Sequence, residues 1–580
     1  MKTFNRRTLF VLLLLFTPLI PVNAQQQHGT ITGRVVTEDG APLPGITVML
    51  VSNSNSLTSR SFKTSLTDED GNFQFTNLTP RGYSISVTES RGYVQPLRPS
   101  NLPRLVYRIG ENAVIRMMRG GVITGKVTYT NGEPIIGIYV SAIRIRDADG
   151  APVRTQNYSL NRITDDRGIY RIYSLQPGTY VVAANHSVAA FNSQQSPFDG
   201  DSPTYHPSTT RDTAAEIQVV AGAETSGVDI RHRGERGHII SGKITGDTES
   251  AGPVTFLTNV ILTTFPAGMQ AGMTASRPGE NNSGFAFLGI PDGEYELMAD
   301  RGSSTGDDSW RSEPRRVTVR GGDVTGIEIR LLPMASIAGR VVIEQTPNAC
   351  DPKAKTSLEE LTLNPRREEK PTDSPAQTPR FTQIFSPNEK GEFKMNALAA
   401  GRYRIEMGLP NENWFVKSVA SASSAETLTR PTAKSPPTTN LVRSGALLKS
   451  GDKLSGVTVT IADGAASLRG KVAAKEGSKL PASLRIHLVP AEATAAEDVL
   501  RYGEALTNDG SFAFTNFAPG KYWIVAKAIA DNDSPDRLPS PSAWDSAERA
   551  KLRKEAEAAK NEIELKSCQR VKDHVLKFEK

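Results

Sequence analysis

TDDRGIYRIYSLQPGTYVVAA (residues 164–184) holds two short runs of alternating apolar and polar residues on either side of a Pro-Gly turn. A period of two puts every second side chain on one face, as a half-buried strand requires. Residues 507–527, TNDGSFAFTNFAPGKYWIVAK, repeat the same grammar. A chain that writes one sentence twice invites a search for further copies.

Five copies are found. The pattern x-G-[RK]-[VI] occurs as ITGRVV at Gly33, ITGKVT at Gly125, ISGKIT at Gly242, IAGRVV at Gly339 and LRGKVA at Gly470. Each is followed by a G-x-[FY] element or close variant, beginning at Gly71, Gly168, Gly284, Gly391 and Gly510. Each then reaches an x-G-x-Y-like strand at Gly82, Gly178, Gly293, Gly401 and Gly520. Four copies close on an alternating strand, after Asn112, Gly227, Gly326 and Gly456; in the fifth, EIEL is the expected closing strand. Leu78, Leu175, Leu288, Leu398 and Phe517 stand at one recurring site, where a large apolar residue would plug the space between two sheets.

The fold class expected is all-β. About seven short strands per copy describe an Ig-like or transthyretin-like β-sandwich. The expected organisation is a signal peptide over 1–24 and sandwiches over 25–118, 119–234, 235–333, 334–464 and 465–580. Residues 350–380 and 420–450 read as long loops inserted in the fourth copy. Residues 546–560 read as a helix inserted in the last. Asp545 is its N-cap, with Glu548 three residues on, and Lys551–Glu555 and Arg553–Glu557 are i,i+4 charge pairs.

The motif G-[RK]-V…G-x-P-[LI]-x-G-x-x-V is complete in GRVVTEDGAPLPGITV and GKVTYTNGEPIIGIYV, and is followed by T-D-x-x-G-x-[FY] and P-G-x-Y. These residues resemble the carboxypeptidase regulatory-like domain, a transthyretin-like or starch-binding-like sandwich. The third and fourth copies lose the G-x-P-[LI]-x-G segment, and the fifth keeps only a trace in KLPASLRIHL. The resemblance implies a non-catalytic domain that accompanies peptidases, receptors and surface proteins.

Composition narrows the class. Gly (48) and Pro (37) together make about 15% of the 580 residues, above the usual ~12%, which suits short strands joined by tight turns. Lys2, Arg6 and Arg7 precede an apolar run over residues 9–16, and Val22 and Ala24 place small residues at −3 and −1 of a cleavage site before Gln25. The apolar run is shorter than the ~20 residues that cross a bilayer. Export is therefore expected, to the periplasm, the cell surface or the medium, with no membrane span after cleavage. Removing those three cations lowers the formal net charge from +6 to +3. Both signs are interspersed, so no nucleic-acid partner is expected.

Several motifs invite a chemical reading, and each has a plainer alternative. His232 and Glu235 have H-x-x-E spacing, but a metal needs a third ligand and an ordered surround, and this tetrapeptide lies at a Gly-rich junction. Residues 302–306, GSSTG, fit G-x-S-x-G without the following helix that a nucleophile elbow requires. TDEDG at Thr67 and TDDRG at Thr164 cluster oxygen atoms as calcium prefers. The equivalent loops NNSG, PNEKG and TNDG carry fewer carboxylates, so side-chain capping of a β-turn is preferred. Trp310, Trp414 and Trp544 fall in expected loops or the tail, where exposed rings could stack on sugars.

No enzyme activity, cofactor or metal is expected. The expected role is an interaction and spacer protein with a protein or glycan partner at the cell surface; carbohydrate binding through loops is the alternative. The two cysteines, Cys350 and Cys568, are disulfide candidates, because an exported chain meets oxidising conditions. Two unpaired thiols are the other possibility.

Overall fold

The computed structural model describes residues 28–53, 62–96, 105–153, 159–185, 196–246, 258–276, 284–302, 309–344, 350, 357–368, 384–422, 438–474, 479–481, 483–495, 498–507, 509–529 and 542–578. The expected signal peptide and residues 303–306 lie outside these. The chain is all-β. Five buried apolar clusters follow one another along the sequence, within residues 31–117, 123–230, 240–331, 335–461 and 466–576. Each stretch is called a unit below.

One three-strand motif recurs in every unit. An opening strand lies between an antiparallel neighbour that carries the G-x-[FY] residues and a closing strand that runs parallel to it. The opening strands are Gly29–Thr37, Gly121–Thr128, His238–Gly246, Ala335–Glu344 and Ala466–Ala474. Their antiparallel neighbours are Asn72–Leu78, Ile169–Leu175, Gly284–Ile290, Glu392–Leu398 and Ser511–Phe517. The closing strands are Asn112–Arg119, the pair Glu224–Thr225 and Ile230–Arg231, Val324–Pro333, Lys453–Asp463 and Arg570–Phe578. In units one, two, four and five a second sheet covers the core, for example Phe62–Leu66, Thr47–Ser52 and Tyr83–Glu89 in the first. In the third, Ser309–Ser312 pairs on both sides and joins the two halves into one eight-stranded sheet.

Packing explains the recurring glycine. A β-carbon on Gly33, Gly125, Gly242, Gly339 or Gly470 would come under 3.0 Å from the carbonyl oxygen of Ala113, Val228, Ile327, Val457 or His574, which lies on the closing strand or, for Val228, between its two pieces. Only glycine admits that approach. Under Gly33, Gly339 and Gly470 the ring of Phe73, Phe393 or Phe512 fills the space a side chain would have taken. The first glycine and the later aromatic are thus two halves of one contact.

The plug position is also real, with one correction. Leu78, Leu175 and Leu398 are buried and Phe517 packs against the fifth core. Leu288 is 50% exposed, and Ile290 takes its place. The residue before each plug has a left-handed backbone: Asn77, Ser174, Gly289, Ala397 and Asn516. This makes a bulge opposite the start of the opening strand and turns the plug inward. Ile290 stands three residues after Phe287, as Leu78 does after Phe75, whereas Leu288 follows Phe287 directly and faces solvent.

Two further expectations change. The fifth closing strand is Arg570–Phe578, while EIEL (Glu562–Leu565) pairs with Gly520–Ala528 in the other sheet. Gly227, Gly326 and Gly456 supply the positive φ at the closing bulge in units two to four, and Asp573 supplies it in the fifth. Asp tolerates that conformation, and its presence hides the glycine signature. The inserted segments of the fourth unit are not wholly loops. They contain strands Thr362–Arg367, Thr438–Asn440 and Ala446–Leu448 and the helical turn Leu441–Ser444.

The last helix runs over Ser546–Ala559, and the Asp545 carboxylate accepts from the Ala547 and Glu548 amides. Its charges do not pair along the helix as expected. Arg553 donates to the Pro490 and Ala491 carbonyls and lies over the Trp523 ring, and Glu555 meets Lys527. Leu552 and Ala556 bury against Val489. The charges tie the helix to its sheet.

Units one and four touch. Arg81 Nη2 lies 3.1 Å from Glu359 Oε1, Arg108 reaches the Leu409 carbonyl, and Gly82 stands against the Thr362 side chain. The array doubles back on itself.

Candidate functional site: the seam between units four and five

Recurring polar residues are the natural place to look for a repeated site. The tyrosine of each x-G-x-Y strand donates its hydroxyl four residues back. Tyr83, Tyr180 and Tyr295 reach the carbonyls of Thr79, Gln176 and Pro291 at 2.8 Å, Tyr522 reaches Ala518 at 2.6 Å, and Tyr403 pairs with the Ala399 backbone. This is a tyrosine corner, and burial raises the pKa of every one of these hydroxyls.

The acidic turns have a similar role. Asp68 accepts from the Asn72 amide at 2.7 Å, and Asp165 accepts from the Ile169 and Arg167 amides at 2.8 and 3.0 Å. These bonds hold both carboxyls below their ordinary pKa. Asn388 makes the same bonds to Glu392 and Lys390 with a neutral carboxamide, and Asp509 caps Ser511. A position that works with Asn does not need a cation. The carboxylate is a turn cap.

His232 and Glu235 do not converge. The buried His232 ring pairs with Thr204 Oγ1 at 3.2 Å and Asp201 Oδ2 at 3.3 Å, while Glu235 is held by Arg233. Trp310 lies on Ser309–Ser312 under the Arg301 guanidinium, and Trp414 begins Trp414–Ala422; both are core residues rather than loop residues. Trp544 alone of these three is half-buried. With Thr439, Asn440, Arg443, Ser444, Asp545, Ser546 and Arg549 it lines an open groove of about 560 Å³ where unit five meets unit four. Arg366 and Arg404 lie over its ring at 4.9 and 5.2 Å.

Most polar atoms of that groove serve the fold. Asn440 caps Leu441–Ser444, Asp545 caps the long helix, and Arg404 binds Glu368 at 2.6 Å and the Trp544 carbonyl at 3.2 Å. The same seam is fastened elsewhere. Asn516 donates to the Asn411 and Trp414 carbonyls at 2.8 and 2.7 Å, and Arg570 grips Ala465, Glu412 and Asn413.

The disulfide candidates meet here. Cys350 and Cys568 are bonded in the structure, with Cα atoms 5.4 Å apart, and Asp463 accepts from the Cys350 amide at 2.7 Å. Cys568 sits in the turn before the closing strand, not after it. Among the described residues, Cys350, Asp463 and Cys568 form the one cluster of potential metal donors, and the bridge uses both sulfurs. Arg570 belongs to no recurring motif, and Asn516 recurs only as the left-handed residue before the plug, so the repeat pattern did not single out their side-chain contacts.

Residues 30–100 match the family model of the carboxypeptidase regulatory-like domain. The match lies within the first unit and ends before its closing strand, Asn112–Arg119. No curated protein matches the sequence. Among solved structures the chain is similar to a minor pilin of Streptococcus agalactiae, at 13% identity over 35% of this chain and 95% of that one, with a TM-score of 0.19. It is also similar to the shaft pilin SpaA of Lactobacillus rhamnosus GG, at 11% identity over 36% of this chain and 98% of that one, with a TM-score of 0.17. A major pilin subunit of Bacillus cereus shares 10% identity over 52% of this chain and 99% of that one, with a TM-score of 0.15. TM-scores of this size leave the architecture to rest on the chain's own strands. Among the described residues no helix is long and apolar enough to cross a membrane.

Proposed function

We propose that the chain is an exported, non-catalytic array of five carboxypeptidase regulatory-like sandwiches, with boundaries near residues 118, 234, 333 and 464. It acts as a spacer and interaction protein in the periplasm or at the cell surface, toward a protein or glycan partner. One observation carries the reading: the polar residues that recur from unit to unit are spent on architecture, as corner hydroxyls and turn caps. A repeated catalytic or metal site would leave such groups aimed into a common cavity. The Cys350–Cys568 bridge fits the same reading, since it fixes two neighbouring units in one geometry.

Cell fractionation with N-terminal sequencing tests it. The mature chain is expected outside the cytoplasm, beginning at Gln25. Cytoplasmic protein that retains residues 1–24 would overturn it. The half-buried Trp544 favours a second reading, glycan contact at the seam. A glycan array positive for the wild type and negative for Trp544→Ala would establish that reading.

A further inference from the structure

We propose that the array bears tension, with units one to three resisting in shear and the chain between Cys350 and Cys568, most of units four and five, kept from extending by the disulfide. The proposal rests on the spacer reading. Its first support is the parallel pairing of opening and closing strands in every unit. The chain enters each unit at the start of the opening strand and leaves at the end of the closing strand. Because these strands run the same way, the two points lie at opposite ends of the pair. Pulling them apart slides one strand along the other, so every ladder hydrogen bond is loaded at once. An antiparallel pair pulled at one end would instead open bond by bond.

The connections leave little slack. Gly120 alone separates the first closing strand from the second opening strand, and Met334 alone separates the third from the fourth. Only Gly464 and Ala465 stand between the fourth and the fifth. The ladders differ in length. Residues 32–37 pair without a break in unit one, whereas the closing strand of unit two is split into Glu224–Thr225 and Ile230–Arg231. Unit two therefore yields first.

The disulfide changes the path. After Ala335–Glu344 the tension reaches Cys350, crosses to Cys568 and leaves through Arg570–Phe578. The closing strand of unit four and the opening strand of unit five both lie in the bypassed stretch. That stretch cannot extend until the bridge is reduced.

Force spectroscopy on the mature chain, tethered at its two ends, tests this. Three unfolding steps are expected without reductant and five with a dithiol. The bypassed stretch, a sequence separation of 218, adds roughly 760 Å of contour at about 3.5 Å per residue. Cys568→Ser should behave as the reduced protein does without any dithiol. Handles placed at His28 and Thr79, flanking the antiparallel Gly29–Leu78 contact, should open unit one at a several-fold lower force than end-to-end pulling. Equal forces in the two geometries would overturn shear resistance. Five steps in both redox states would overturn the bypass. Extension without discrete steps would instead sink the array of modules on which the proposal rests.

Discussion

The Tyr170 hydroxyl donates to the Val228 carbonyl oxygen, and that same oxygen fills the space where a side chain on Gly125 would stand. One atom between the two pieces of the closing strand thus explains two motif positions about 45 residues apart. Gly125→Ala is expected to destabilise unit two by about 1–3 kcal/mol through overpacking. Tyr170→Phe, which strands a buried carbonyl, should cost a similar ~1–3 kcal/mol. Thermal unfolding of the full chain checks both. A transition unmoved by Gly125→Ala would show that the strands separate easily, contrary to the packing.

Alkaline pH should weaken the same cores. Burial pushes Tyr180 and Tyr205 up to about 12, and pushes Tyr170 and Tyr295 upward as well. An unfolded tyrosine ionises near 10. Between that pH and the folded pKa, the native state holds a proton that the unfolded state has lost, so stability falls as pH rises. It is complete below pH ~10. Tyr180→Phe should flatten the alkaline limb, as seen in urea midpoints between about pH 9 and 11. An unchanged slope would exclude Tyr180 as a contributor.

Acid acts on the fifth unit through His487, which is 2% exposed on Leu484–Pro490. Burial first, then Lys527 and Arg485, depress its pKa to about 3; Glu504 lies 3.8 Å away across the sheet. Here the unfolded state binds the extra proton, so the stabilisation is complete above pH ~6.5 and is lost as pH falls toward 3. The loss reaches a few kcal/mol at most. His487→Leu should remove most of this dependence, read from urea midpoints at successive pH values. A steep acid limb that survives the substitution would place the titrating group elsewhere.

Residues 119–234, expressed alone, should fold cooperatively, because one buried cluster lies within them. Residues 119–237 should be more stable. Ser202 and Gly237 make backbone bonds across the proposed boundary, to Glu235 and Gly200. Circular dichroism with thermal scans decides the point; random-coil spectra from both fragments would refute modular folding.

The bridge itself has a direct measurement. Intact mass without reductant should be lower by two hydrogens than after reduction, with no alkylatable thiol. In the chain-entropy model a 218-residue separation contributes up to about 5 kcal/mol. Cys350→Ser should therefore lower the transition of units four and five while leaving unit one unmoved. Two free thiols in the native protein would contradict the bond.

Strand period, turn glycines and the recurring tyrosine made the sandwich legible, because each is a local demand of the backbone that recurs in every unit. What hid was what substitution can mask. Asp573 stands in for a bulge glycine, so the fifth closing strand carried no signature. In unit three the plug is Ile290, and the leucine two positions earlier, Leu288, faces solvent, so residue type alone misleads there. The fastenings of the seam, Asn516, Arg570 and the Arg404–Trp544 stack, join residues more than 100 positions apart and obey no local rule.

The Arg81–Glu359 contact makes two distant surfaces depend on one another. Burial raises the pKa of Glu359 against the pull of Arg81, and Arg81 Nε is enclosed without a hydrogen-bond partner, so the contact is imperfectly satisfied. Whatever occupies the face of unit one that carries Arg81 must first displace unit four. By reciprocity, a ligand on the Glu359 face would raise the affinity of unit one for any ligand of the Arg81 face by the same factor. Two binding events on opposite parts of the chain would then be cooperative without any change inside either sandwich.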